Sequence, residues 1–169
     1  ECARVSPVLV LFIIGIVEMS MILLAQNMME SATFVASRTG KTGYTQAGIS
    51  REETIINALN ERASTVLDIN RITIDALSYN EFGDIGQPEP FVDANANGTR
   101  DSGENYTDVN ANGQYDTDMG SIGGGNAGNI VVYTVTYPWQ VITPIMGSIV
   151  GNDGIINLSA RTVVRNEPF

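Results

Sequence analysis

From Val8 to Ala25 every position is apolar except Glu18 and Ser20. A run of that length sits at the threshold for a helix that crosses a bilayer. Apolar residues recur beyond it at helical spacing, through Met28, Met29, Ala32, Phe34, Val35 and Ala36. No small-residue cleavage site follows the run, which opposes a signal peptide. Gly40 and Gly43, with Arg38 and Lys41 close by, are stop signals. The pattern predicts one helix from about Pro7 to Thr39, roughly 50 Å long. Such a helix exceeds the thickness of a bilayer, so its distal half must pack on something else. Pro7 suits a first helical turn with Ser6 as N-cap; a helix that begins at Glu1 would carry Pro7 inside it and kink there.

A second helix is predicted from Ser50. Ser50-Arg51-Glu52-Glu53 is a capping box, and Ile55, Ile56, Leu59, Ala63, Val66 and Leu67 follow at helical spacing. Three strand-like stretches come later: Ile69 to Leu77, Ile130 to Tyr137 and Ile155 to Val164. The first two alternate apolar and polar residues, as strands with one covered face do. Pro138 cannot donate to a ladder, so Tyr137-Pro138-Trp139 is expected to end a strand, with Trp139 in the core or at a subunit contact. The predicted fold class is α+β. An N-terminal helical segment, residues 1–43, carries a head, residues 44–169, in which two helices cover one face of an antiparallel sheet. An acidic, Gly- and Asn-rich insertion, residues 81–128, interrupts the head. A structureless loop of that length needs something to organise it.

The insertion holds an internal repeat. Glu89 to Gly98 aligns with Glu104 to Gly113, and Asp101 with Asp116, a period of 15 residues. In the first unit, oxygen-bearing residues fall at positions 1, 3 and 5 of a loop (Asp93, Asn95, Asn97), with Gly98 at position 6. The Thr99 carbonyl, Asp101 and Glu104 follow at positions 7, 9 and 12. This is the ligand register of the EF-hand loop, whose hard oxygens suit Ca²⁺. The second unit supplies Asp108, Asn110, Asn112, the Gln114 carbonyl and Asp116, but its position 12 is Met119, with Asp118 one residue early. A shared acid such as Glu104 is an alternative for that ligand. Helices do not obviously flank these loops, so the expectation is a tandem calcium loop binding about two ions as a structural staple, not an EF-hand domain.

Composition narrows the function classes. Net charge is −10, which argues against nucleic acid. There is no histidine, so a His-containing triad is excluded. The only cysteine is Cys2, so no internal disulfide forms; it is expected as a buried thiol. Residues 81–118 hold nine acids and one arginine. A calcium-dependent hydrolase using two acids is disfavoured, because the acids are accounted for as ligands. The expectation is that the chain is not an enzyme.

Glu18 stands inside the apolar run, where an ionised carboxylate is expensive and needs a partner. Arg4 is the only basic residue near the apolar part. The two lie 14 residues apart, about 21 Å along one helix, so they cannot meet within a chain. They can meet between two chains offset by that distance, as in a helical polymer. A neighbour's terminal amine, a local water or protonation of Glu18 are the alternatives. Glu1 has the same logic at the extreme end. Gly15 and Ser20 are small enough for close helix approach.

Glu1, Pro7, Gly15-Ile16-Val17-Glu18 and the stretch after them resemble the TadE-like family, the pilin-related proteins of tight-adherence (Tad) type IV pilus systems. Tyr133 to Trp139, Thr143-Pro144 and Val164 to Phe169 are similar to it at the far end. Cys2 departs from the aromatic usual after the first Glu. The resemblance implies a prepilin-type precursor cleaved by a prepilin peptidase, with the pilus assembly machinery and the inner membrane as partners. The expected function is a structural subunit that polymerises as a homo-oligomer into an extracellular filament. The alternative is a membrane-anchored minor pseudopilin, or an assembly or adhesion factor, that does not itself polymerise. Polar points at Glu1, Arg4 and Glu18 favour the polymer.

Overall fold

The computed structural model describes residues 2–41, 51–143, 147 and 154–167, and their side chains except those of 2–5, 36–41, 51 and 52. Glu1, the side chains of Cys2 and Arg4, and the capping serine Ser50 lie outside the described residues. Helix α1 spans Cys2–Lys41 with Pro7 inside it. It therefore starts earlier than the proline suggested. The amide missing at Pro7 would pair with the carbonyl of Ala3, so only one hydrogen bond next to the first turn is lost.

Exposure divides α1 in two. From Val8 to Val17 the large side chains are exposed on every side. From Glu18 onward a single stripe is buried: Glu18, Ala25, Met29, Ala32 and Thr33. Those spacings keep to one helical face. Helix α2, Arg51–Ala63, buries Ile55, Leu59 and Ala63 and packs on α1. Arg62 donates to the Ser31 hydroxyl of α1 at 3.2 Å.

The sheet has four antiparallel strands in the order β2-β1-β3-β4. They are β1 Thr73–Tyr79, β2 Ser121–Ile122, β3 Ile130–Gln140 and β4 Ile155–Arg165. Three match predicted strands. β1 begins later than expected, because Ile69–Arg71 form a 3-10 turn capped by the Asp68 side chain on the Asn70 amide. The short β2 was not predicted; it pairs with β1 through Leu77↔Ile122 and Ser78↔Ser121.

Strand β3 runs through Pro138, against the expectation that Pro138 would end it. Arg71 donates to the Pro138 carbonyl at 2.8 Å. The neighbour on that side is thus the 3-10 turn before β1, not a strand. The N–H and C=O of a strand residue point the same way, so the missing donor faces a position where no ladder exists. Trp139 is buried, as is Tyr137 on the same face.

By compactness the chain divides into two units. The first comprises Glu1–Ile74 and Tyr133–Thr162; the second comprises Asp75–Val132 and Val163–Phe169. The distal half of α1 packs on α2, as expected of a helix too long to lie wholly in a bilayer. In the first unit Gln26 donates to the Ser159 carbonyl of β4 at 2.8 Å, and the Tyr137 hydroxyl accepts from the Asp68 amide. In the second, Asn166 donates to the carbonyls of Gly124 and Asn126.

Candidate assembly helix and candidate metal loops

Glu18 is 3% exposed. Its carboxylate accepts from the Ile142 amide, from the Thr143 amide and from the Thr143 hydroxyl. The segment just past β3 thus closes on α1 at the one acid inside the apolar run. Within the chain, two amides and a hydroxyl meet this carboxylate; the pairing expected with a neighbour's Arg4 falls on a side chain outside the described residues. Hydrogen bonds to an ionised acceptor are among the stronger ones, so desolvation of Glu18 no longer demands a second subunit. Sequence spacing does not reveal this contact, because Glu18 and Thr143 are separated by almost the whole head. Next to the clasp, an apolar groove runs along Val8, Leu11, Phe12 and Gly15 to Thr143. A methyl placed on Gly15 would meet nothing within 4 Å.

In the insertion, the two repeats fold alike. Ala96 and Ala111 have φ of 57° and 58°, and Gly98 and Gly113 have φ of 78° and 81°. All four are left-handed, the region that favours glycine. In the first loop both Asp93 oxygens accept backbone amides, from Asn97 and Gly98. Asn95 and Asn97 both donate to Asp101 Oδ2, at 2.7 and 2.8 Å. The Asn97 side-chain carbonyl accepts from the Thr99 amide and hydroxyl. The second loop repeats this pattern with Asp108 accepting from Asn112 and Gly113, Asn110 and Asn112 donating to Asp116, and Asn112 accepting from Gln114. Positions 1, 3, 5 and 9 are thereby gathered in each loop.

The closing acid is where sequence reasoning fell short. Glu104 accepts from the amides of Ala94 and Asp101, positions 2 and 9 of the first loop. In the second loop those positions are Val109 and Asp116, and both donate to Glu89. Glu89 is completely buried. It is the repeat equivalent of Glu104, 15 residues earlier. The second loop therefore takes its closing carboxylate from the start of the first repeat, and neither Glu104 nor Asp118 stands there. The repeat alignment held that signal. Asp118 lines the same hollow as Asn110, Asn112 and Asp116, but its oxygens accept from the Tyr79 hydroxyl and the Gly120 amide.

A pseudo-two-fold relation organises the insertion. Phe91 and Tyr106, repeat equivalents, form an antiparallel bridge. Its two hydrogen bonds, Val92 to the Asn105 carbonyl and Thr107 to the Pro90 carbonyl, are both 2.8 Å and are equivalent under the repeat. Tyr115 meets Phe91 and Tyr106 edge to face. The Arg100 guanidinium lies 4.8 Å from the ring centres of both Tyr106 and Tyr115, and it donates to the Glu104 carbonyl. The segment thus has a small core of its own, three aromatic rings and an arginine, which the sequence reading did not give it. Arg100→Ala is expected to destabilise the insertion by about 1–3 kcal/mol, from two cation–π contacts and one lost hydrogen bond. Hydrogen exchange should rise across residues 89–118; unchanged protection there would show that the arginine only decorates the rings.

The donor set of each loop fits a calcium ion in kind: carboxylates, amide oxygens and a carbonyl, with no sulfur or nitrogen. Among the described residues, no group of three or more acids, cysteines or histidines converges as a metal centre. In each loop two of the would-be ligands are asparagines.

Ser6–Val35 is long and apolar enough to cross a membrane, and α1 is compatible with membrane insertion. No curated protein and no solved structure matches the chain. Residues 1–38 match the family model described as TadE-like protein. Over residues 1–38, most of its N-terminal helix, the chain is similar to the TadE-like family.

Proposed function

We propose that the chain is a structural pilin, stored in the inner membrane through the first half of α1 and polymerised through it into an extracellular Tad-type filament. One observation supports this most. Val8 to Val17 expose large apolar side chains all round the helix, and the described parts of the chain leave them uncovered. A helix that is apolar on every side requires lipid or several protein neighbours. A filament core supplies neighbours on all sides, and the open space beside Gly15 suits a close helix approach. Electron microscopy of material sheared from cells expressing this chain as the sole pilin should show filaments built from it. Their absence, with the chain retained in membranes, would leave a membrane-anchored minor component.

The proposal includes two Ca²⁺ ions in the insertion. Asp93, Asn95, Asn97, the Thr99 carbonyl, Asp101 and Glu104 would hold the first. Asp108, Asn110, Asn112, the Gln114 carbonyl, Asp116 and Glu89 would hold the second. Each ion would neutralise carboxylates gathered around a loop that folds against few apolar groups, so its role is stability.

A further inference from the structure

We propose that Val141-Ile142-Thr143 is a strap that enters the outer part of the lipid hydrocarbon together with α1 before assembly. The inference rests on the reading that α1 is stored in a bilayer. Arg4 is the last charge before Glu18, and a helical arginine reaches back to the lipid boundary. Glu18 lies about 21 Å further along the axis, whereas the hydrocarbon is about 30 Å thick. Glu18 therefore sits short of the outer boundary by several ångströms. Helical side chains also lean toward the N-terminus, which takes the carboxylate deeper. Whatever binds that carboxylate shares its depth.

The strap is chemically suited to that place. Backbone groups in lipid must be satisfied within the protein. The Val141 amide donates to the Gly154 carbonyl at 2.8 Å, and the amides of Ile142 and Thr143 donate to Glu18. The Thr143 hydroxyl donates to Glu18 as well. Three consecutive amides and the hydroxyl are thus paired, and so is the carboxylate. The Thr143 carbonyl accepts from the Gly147 amide, and the Ile142 side chain is apolar and 71% exposed. An isoleucine so placed is costly in water and favourable against acyl chains.

The test uses the full chain in phosphatidylcholine–phosphatidylglycerol vesicles, with Cys2→Ser removing the only cysteine. Single cysteines at Ile142, at Ile14 in the apolar run and at the exposed Glu61 of α2 are labelled with a polarity-sensitive fluorophore. Nitroxide lipids and aqueous iodide then compete as quenchers. Ile14 and Ile142 labels should be quenched by nitroxide lipids several-fold more than the Glu61 label, with a shallow nitroxide best for Ile142 and a deep one best for Ile14. In Glu18→Gln the Ile142 label should shift toward iodide. An Ile142 label that behaves like Glu61, while Ile14 is quenched from lipid, overturns the strap and leaves membrane storage standing. An Ile14 label open to iodide removes the storage reading and the strap with it.

Discussion

Glu18→Ala is expected to abolish filaments while leaving the insertion folded. The substitution removes one carboxylate and strands three donors at once, the amides of Ile142 and Thr143 and the Thr143 hydroxyl. A buried donor without a partner costs about 1–3 kcal/mol, so the 141–143 segment should leave α1. A loosened head then meets its neighbours in the polymer with variable geometry, and the defect repeats at every subunit. Residues 89–118 lie in the other compact unit and should keep their protease resistance. Thr143→Val strands no amide and should give shorter or fewer filaments rather than none. Arg4→Ala separates this account from pairing between chains. With Glu18 satisfied inside its own chain, Arg4→Ala should still polymerise. Loss of filaments in Arg4→Ala, with the head still docked by proteolysis, would return the arginine to the role of Glu18's partner.

Chelation of Ca²⁺ is expected to open residues 89–118 to protease and to lower the melting temperature of the head. An ion held at about a hundred times its dissociation constant adds about 2.7 kcal/mol, and two ions act on one small segment. Calorimetric titration of the stripped protein should give two ions per chain. Glu89→Ala should bring this to one and spare the first loop, and Glu104→Ala should do the reverse. Asp118→Ala should leave two, because Asp118 is engaged with Tyr79 and Gly120. Asp93→Ala should hurt the first loop more than Asp118→Ala hurts the second. A chain that resists protease equally with and without chelator needs no ions. In that case the aromatic core around Arg100 alone holds the insertion.

Local signals in the sequence determined a large part of this protein. The helix, the three long strands and the tandem loops follow from periodicities and registers within a few residues of one another, and these survive any arrangement of the head. The left-handed φ at Gly98 and Gly113 belongs to the same class, since position 6 of each loop demands it. The partners of Glu18 and the closing acid of the second loop were of another kind. Glu18 needed a partner on grounds of charge, and the sequence offered only Arg4, because a backbone amide carries no sequence signature. Only the tertiary fold, by bringing the end of β3 onto α1, decided that two amides and a threonine would serve. Likewise, counting forward from Asp108 reaches Met119 at position 12, where no acid stands. The chain instead folds the second repeat back on the first, and Glu89 arrives from 19 residues upstream. Linear spacing fixes a ligand only where the loop closes on itself; where two loops close on each other, the contact exists only in three dimensions.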